Sequence, residues 1–334
     1  MHPTAAPGSG FLRRAQRGTD RVEILLTGSI AYDYLMTFPG YFREHILPDE
    51  LDRISLSFLV DSMIRRRGGI AANIAFTLAQ LGERPAVMAT VGEDFGEYRS
   101  WLEEQGVDTT HIRAMAGLFT ASFFVTTDRS NAQIASFYTG AMAKASSLRL
   151  SDLPNRPRLV VISANDPEAM AGYVQECHEL ELAYIYDPSQ QVVRLDPETL
   201  RAGMTGSQAV FGNDYEFRLI EEKTGLTPAQ IDSLTGFVVI TRGERGVDIL
   251  ADGRKHHVAS VAPRTIADPT GVGDAFRGGF LKGFIHDQSL ETCGKVGALA
   301  ATYCLEHPGS QGHAFDLRSF GERYRQFFGE SLQL

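Results

Sequence analysis

From residue 159 onward, short apolar runs and helix-like segments follow one another in regular alternation. Leu159 to Ser163 reads as a strand, Asp166 to Leu180 as a helix, and Ala183 to Tyr186 and Ala209 to Phe211 as two more strands. Tyr215 to Lys223 is helical, Phe237 to Thr241 and Gly246 to Leu250 are strands, and helices follow at about 272–285 and 289–306. Few architectures accept this pattern. Parallel neighbours need a crossover, usually a helix, and the helices then cover both faces of the sheet. The expectation is an α/β fold in three layers around a central, mostly parallel sheet. Ligands of such sheets collect at the carboxyl ends of the strands.

The first half begins the same way and then departs from it. Val22 to Gly28 is an apolar run closed by glycine, a buried first strand. Ile70, Ile74, Leu78 and Leu81 recur at helical spacing behind Gly68-Gly69, and Gly82 stops that helix. Pro85 to Val91 is a strand and Phe95 to Gln105 a helix ended by Gly106. Between 118 and 140 the period changes to two, with Asp128-Arg-Ser-Asn131 as turn residues before a return strand from Ala132 to Tyr138. That is a β-hairpin, expected in an antiparallel sheet. With residues 33–65, which look extended, it forms a small second sheet. The main body spans 22–330, with residues 33–65 and 115–142 as the small attached sheet, and 1–21 read as a disordered tail.

Composition narrows the function. Lys plus Arg number 32 against 41 Asp plus Glu, a net charge of −9, which is the wrong sign for a nucleic-acid binder. A local pocket can still be positive, so an anionic small substrate is allowed. The three cysteines, Cys177, Cys293 and Cys304, make no C-x-x-C pair and read as core residues. No run of 18 apolar residues suggests a membrane span, and the Arg-bearing first twenty residues lack a secretory apolar region. A reduced, cytoplasmic enzyme is the expected class. Walker-type, protein-kinase, His-Glu-x-x-His and Gly-x-Ser-x-Gly signatures are all missing. His256-His257 reads as a solvated strand edge rather than a metal site.

The sharpest chemical signal is Asp268-Pro-Thr270-Gly271-Val272-Gly273-Asp274, just ahead of an apolar helix. The glycines let backbone N–H groups turn toward a ligand, and the helix N-terminus adds its positive dipole end, which suits a phosphoryl group. Taken alone, this is also an ordinary helix start. Asn213-Asp-Tyr-Glu216 is a helix cap that could also organise magnesium through water. Thr241-Arg-Gly243-Glu-Arg-Gly246 is a hairpin turn. Ser29 and Asp33 follow the first strand, and Gly69 and Asn73 open the first helix. Asp, Asn and backbone N–H groups suit the paired hydroxyls of a sugar.

These motifs, in this order, resemble the ribokinase/PfkB family of sugar and nucleoside kinases from residue 22 to about 325. Leu56-Ser57-Phe-Leu-Val60, Gln133 to Tyr138, Ala164 to Met170 and Asp187 to Gln191 resemble, within it, bacterial adenosine kinases of the mycobacterial type. Pro269 and Val272 stand where many members have threonine and alanine. The resemblance implies a ribokinase-like fold with a small β-sheet lid, and ATP and Mg2+ as cofactors. It also implies Asp274 as base, with Gly271, Val272 and Gly273 forming the anion hole. Ser29, Asp33, Ser57, Gly69 and Asn73 would contact the substrate. Phe123 and Phe137 would sandwich a purine, with Gln190 and Gln191 beside it. Asn213, Thr241, Gly243, Gly246, Asp268 and Thr270 would bind the nucleotide, and Glu216 would hold magnesium through water. Adenosine is the expected substrate and a free sugar such as ribose or fructose the runner-up. A non-catalytic binder on the same fold is opposed by the intact Asp274. A homodimer is allowed; nucleic acid and membrane are not expected partners.

Overall fold

The computed structural model describes residues 22–46 and 55–332. The expected tail, 1–21, and part of the expected lid, 47–54, lie outside the described residues. In chain order the first elements are β1 Ile24–Thr27, β2 Ala31–Thr37, β3 Ser62–Gly68, α1 Ile70–Gln80, β4 Ala86–Val91 and α2 Gly96–Glu104. Then come β5 Ile112–Ala114, β6 Ala121–Thr127, β7 Gln133–Tyr138, β8 Leu159–Ser163, α3 Pro167–Glu179 and β9 Tyr184–Asp187. They are followed by α4 Pro197–Met204, β10 Ala209–Asn213, α5 Asp214–Thr224, α6 Pro228–Asp232 and β11 Val238–Thr241. The last are β12 Val247–Ala251, β13 Arg254–Val258, α7 Val272–Ile285, α8 Leu290–Leu305 and α9 Leu317–Phe328.

Nine strands form the main sheet in the order β13-β12-β11-β10-β9-β8-β1-β4-β5. Every pair from β5 to β11 is parallel, while β11, β12 and β13 pair antiparallel. Successive side chains of the central strands face opposite layers. Leu159, Val161, Ile185 and Phe211 pack with Ile74 and Leu78 of α1 and Phe276 and Phe280 of α7. Val160, Ile162, Tyr186 and Val210 pack with Met170 and Tyr173 of α3 and Phe217 and Ile220 of α5. This is the expected three-layer α/β/α arrangement, and the three cysteines are buried in it. His256 and His257 lie exposed on the edge strand β13.

Four strands form the separate small sheet, ordered β3-β2-β6-β7. Its hairpin β6–β7 is antiparallel as expected, and so is β2–β3, but β2 and β6 run parallel. The sheet is therefore mixed, not antiparallel. Both β2 and β6 leave the same edge of the main sheet in the same direction, and each partner strand returns. Asp128 sets the hairpin turn by accepting from the backbone N–H groups of Ser130 and Ala132, and its other oxygen takes the N–H of Phe42.

Helices α7 and α8 approach through glycines. A Cβ on Gly279 would stand 2.7 Å from the Val296 carbonyl oxygen and 2.8 Å from both the Ala300 Cβ and the Gly297 Cα. Gly279→Val is expected to push α8 off α7 and cost on the order of 1–3 kcal/mol or more, the usual penalty of overpacking. Denaturant unfolding measures this; unchanged stability would mean that the helices are free to separate.

Candidate active site

The carboxyl edge of the main sheet brings two glycine-led helices together. Gly69 caps α1 at φ +95°, and a Cβ there would stand 2.5 Å from the Ile30 Cα and 2.6 Å from the Ala31 nitrogen. Only glycine fits that crossing. Ser29, just after β1, accepts from the Ile70 N–H through its hydroxyl, so it fixes the start of α1. Gly271 caps α7 at φ +78°. The first turns of α1 and α7 then meet side chain to side chain: Asn73 Nδ2 donates to Asp274 Oδ2 at 2.8 Å. Gln311 Nε2 donates to the Asn73 Oδ1 at 2.9 Å and also to the Tyr98 hydroxyl, so the Asn73 amide has one orientation.

Asp274 sits in the first turn of α7 with 18% of its side chain exposed. Burial pushes its carboxyl above the ordinary carboxylate range; the Arg277 guanidinium and the Asn73 amide oppose this, and Glu216 adds to it. Asp268, at the head of the same loop, accepts from the N–H groups of Thr270 (2.9 Å) and Gly309 (3.0 Å) and pairs with Arg66. Burial works against its charge, but those hydrogen bonds outweigh it and hold its carboxyl below the usual range. The loop is thereby tied both to itself and to the small sheet.

The small sheet presents a row to this loop. Arg66, Asp33, Phe123 and Phe137 are successive cross-strand neighbours on β3, β2, β6 and β7, so their side chains share one face. Gly68 lies beside Asp33, and a Cβ there would stand 2.6 Å from the Asp33 Oδ2. Burial raises Asp33 to about 6, against the lowering effect of Arg66 and with further lift from Asp274 and Asp268. The adjacent Arg65 and Arg67 point to the opposite face, where both pair with Glu97 at 2.6 and 3.0 Å. Phe137 is 45% exposed although it is a large apolar residue on an inward face.

On the other side of the edge, Asn213 and Glu216 form a reciprocal capping box at the start of α5, with both bonds at 2.8 Å. Thr241 ends β11, and the β11–β12 turn uses Gly243 and Gly246 at φ +59° and +81°. Gln191 is buried with an unpartnered Oε1, whereas Gln190 is exposed. Ser57 stands apart. Its neighbour Phe58 packs on Phe38, Phe42 and His45 beyond Thr37, four residues along β2 from Asp33, or about 13 Å of strand. The sequence reading missed Arg66, Gln311 and the pair Arg277–Asp187. Three successive arginines before Gly68-Gly69, and an arginine one turn after Asp274, are the signals that could have found them.

Residues 35–315 match the family described as pfkB family carbohydrate kinase. The chain belongs to that family, and it is a kinase. It is 34% identical to the nucleoside kinase of Burkholderia thailandensis solved in complex with inosine, with a TM-score of 0.83 over 92% of this chain and 99% of that one. The Methanothermobacter thermautotrophicus nucleoside kinase is 29% identical over 309 residues, 91% of this chain and 95% of its own length. The Methanocaldococcus jannaschii nucleoside kinase structure, described as an archaeal ribokinase-family member, aligns at 25% identity and TM-score 0.81 over 92% and 99% of the two chains. These relatives are nucleoside kinases, a broader class than the adenosine kinases the sequence resembles. Among the described residues no helix is long and apolar enough to cross a membrane.

The row makes a direct electrostatic prediction. As pH falls through about 6, Asp33 takes up a proton. Arg66→Met removes the cation that opposes this, so Asp33 should titrate at a higher pH in the variant. Carboxyl 13C NMR of Asp33 reads the midpoint; an unmoved midpoint would show that Arg66 does not reach Asp33.

Proposed function

We propose that the protein transfers the γ-phosphoryl group of ATP to the 5′-hydroxyl of a purine nucleoside, with adenosine, giving AMP, as the first candidate. One observation carries this reading: the in-register row Arg66, Asp33, Phe123 and Phe137, which sets a carboxylate and two aromatic rings side by side. A nucleoside offers the matching order, a ribose and then a flat base. On this reading Asp33, Gly69 and Asn73 take the ribose hydroxyls, the two phenylalanines meet the base, and Gln190 and Gln191 approach its edge. A free sugar leaves the rings nothing to stack on. The Burkholderia relative solved with inosine supports a purine nucleoside and makes inosine the second candidate. The same protein was solved in complex with ADP-inosine, which supports ATP as donor.

In the reaction, Asp274 takes the proton of the 5′-hydroxyl as that oxygen bonds to the γ-phosphorus. The bond from that phosphorus to the β–γ bridging oxygen breaks, and ADP leaves. The N–H groups of Gly271, Val272 and Gly273 at the start of α7 face the charge that develops on the phosphoryl oxygens. Thr241, Gly243, Gly246, Asn213, Asp268 and Thr270 serve the nucleotide. Among the described residues, no three carboxylates, histidines or cysteines group to form a metal cage. That fits magnesium held by phosphates and water. One Glu216 oxygen is occupied by the Asn213 N–H, and the other meets the Ser189 hydroxyl at 3.5 Å, so it can take a water. When bound, magnesium supplies positive charge to the phosphates.

Asp274→Asn is expected to lower kcat by about 10²–10⁴-fold, the usual worth of a general base, while calorimetry still registers nucleoside binding. Near-wild-type turnover would remove the base assignment. Phe123→Ala should weaken nucleoside binding by about 1–3 kcal/mol, the range for one stacked base, and leave any ribose binding unchanged. Equal losses for both ligands would count against stacking.

A further inference from the structure

Arg277 lies one turn after Asp274 on α7, buried, and faces Asp187 at the carboxyl end of β9. Its Nη2 donates to the Asp187 Oδ1 at 2.9 Å, and its Nε makes an ion-pair contact with the other oxygen. Asp187 itself is fully buried. This fixes the third nitrogen, Nη1, at 4.0 Å from the Asp274 Oδ1. The same Nη1 would stand 2.9 Å from a Cβ on Gly273, so the guanidinium lies directly against the glycine turn. A buried guanidinium is costly to bring out of water, and a packed apolar side chain would usually serve stability as well. Its place beside the reacting carboxylate and the anion-binding turn calls for another explanation.

We infer that Arg277, clamped by Asp187, is a positioning residue that holds the Asp274 carboxylate charged and in place beneath the glycine turn. This rests on the proposed role of Asp274 as base. The surroundings of Asp274 otherwise carry mostly negative charge or none. Glu216 faces it from α5, Asp187 from β9, Asp33 from β2 and Cys304 from α8, while the neutral Asn73 amide meets it from α1. Arg277 is the cation among these groups. Burial would otherwise favour the protonated acid, which cannot accept the hydroxyl proton. Lysine would keep the charge but not the two-pronged clamp.

The test is the pH profile of kcat/KM for the nucleoside in Arg277→Gln, Arg277→Lys and Asp187→Asn, each checked for folding by thermal melting. Arg277→Gln should move the acid limb to higher pH, and each unit of displacement lowers the rate about tenfold at any pH below the limb. Arg277→Lys should return the limb toward its wild-type position, and Asp187→Asn should move it to lower pH. An unmoved limb in Arg277→Gln, equal displacement in Gln and Lys variants, or loss of the limb in Asp187→Asn would each overturn the inference. Should Arg277→Gln not fold, the double variant Asp187→Asn/Arg277→Gln, which removes both charges together, takes its place with a smaller displacement to higher pH, because Arg277 acts on Asp274 more strongly than Asp187 does. Asp274→Asn separates the two claims. If it is inactive and the limb stays fixed in Arg277→Gln, only the role of Arg277 fails; if it turns over normally, the base assignment fails first.

Discussion

The bond from Asn73 to Asp274 joins the first turns of α1 and α7, and most of the site is organised around it. Each helix enters through a glycine at positive φ, Gly69 and Gly271, because the backbone crosses other chain segments there. Neither crossing would accept a side chain. With α1 and α7 packed on the same face of the sheet, their amino ends converge over the carboxyl ends of β1, β8 and β9. Helix dipoles, the N–H groups of the glycine turn and the Asp274 carboxylate then share a small volume.

Charge is the constraint that this convergence creates. Asp33, Asp187 and Glu216 all stand within electrostatic reach of Asp274, and burial raises Asp33 to about 6 and pushes Asp187 up as well. Two arginines offset them from different sides. Arg277 is locked inside the body, while Arg66 spans from the small sheet to Asp268. The second pair links the sheet carrying the aromatic row to the loop that leads into Asp274. A movement of the small sheet must therefore change the surroundings of Asp33 and Asp268 together.

Much of this was legible in the sequence. The strands from β8 to β12 and the helices α1, α3, α5, α7 and α8 lie close to their expected positions, because long apolar periods and flanking glycines mark them. Elements that are short or that follow irregular chain were not foreseen. β5 has three residues, α6 is little more than one turn, and α4 and α9 begin at polar caps after irregular chain. The direction of β2 against β6 depends on where each strand leaves the main sheet, which no local pattern records. In the site, glycines and the acidic residues beside them could be read from spacing. The partners of Arg66, Arg277 and Gln311 could not, since they lie up to 238 residues away and meet them only through the topology.

The central claim is that a ribose and a base are read together by one row of the small sheet. The most direct measurement is a competition: adenosine, inosine, ribose and fructose at equal concentration with limiting ATP and magnesium, products resolved by 31P NMR. The account predicts that the phosphate appears on the 5′-oxygen of a purine nucleoside and that the free sugars remain unmodified. Phosphate on ribose or fructose with the nucleosides untouched would contradict it, and ATP left unconsumed would contradict catalysis itself.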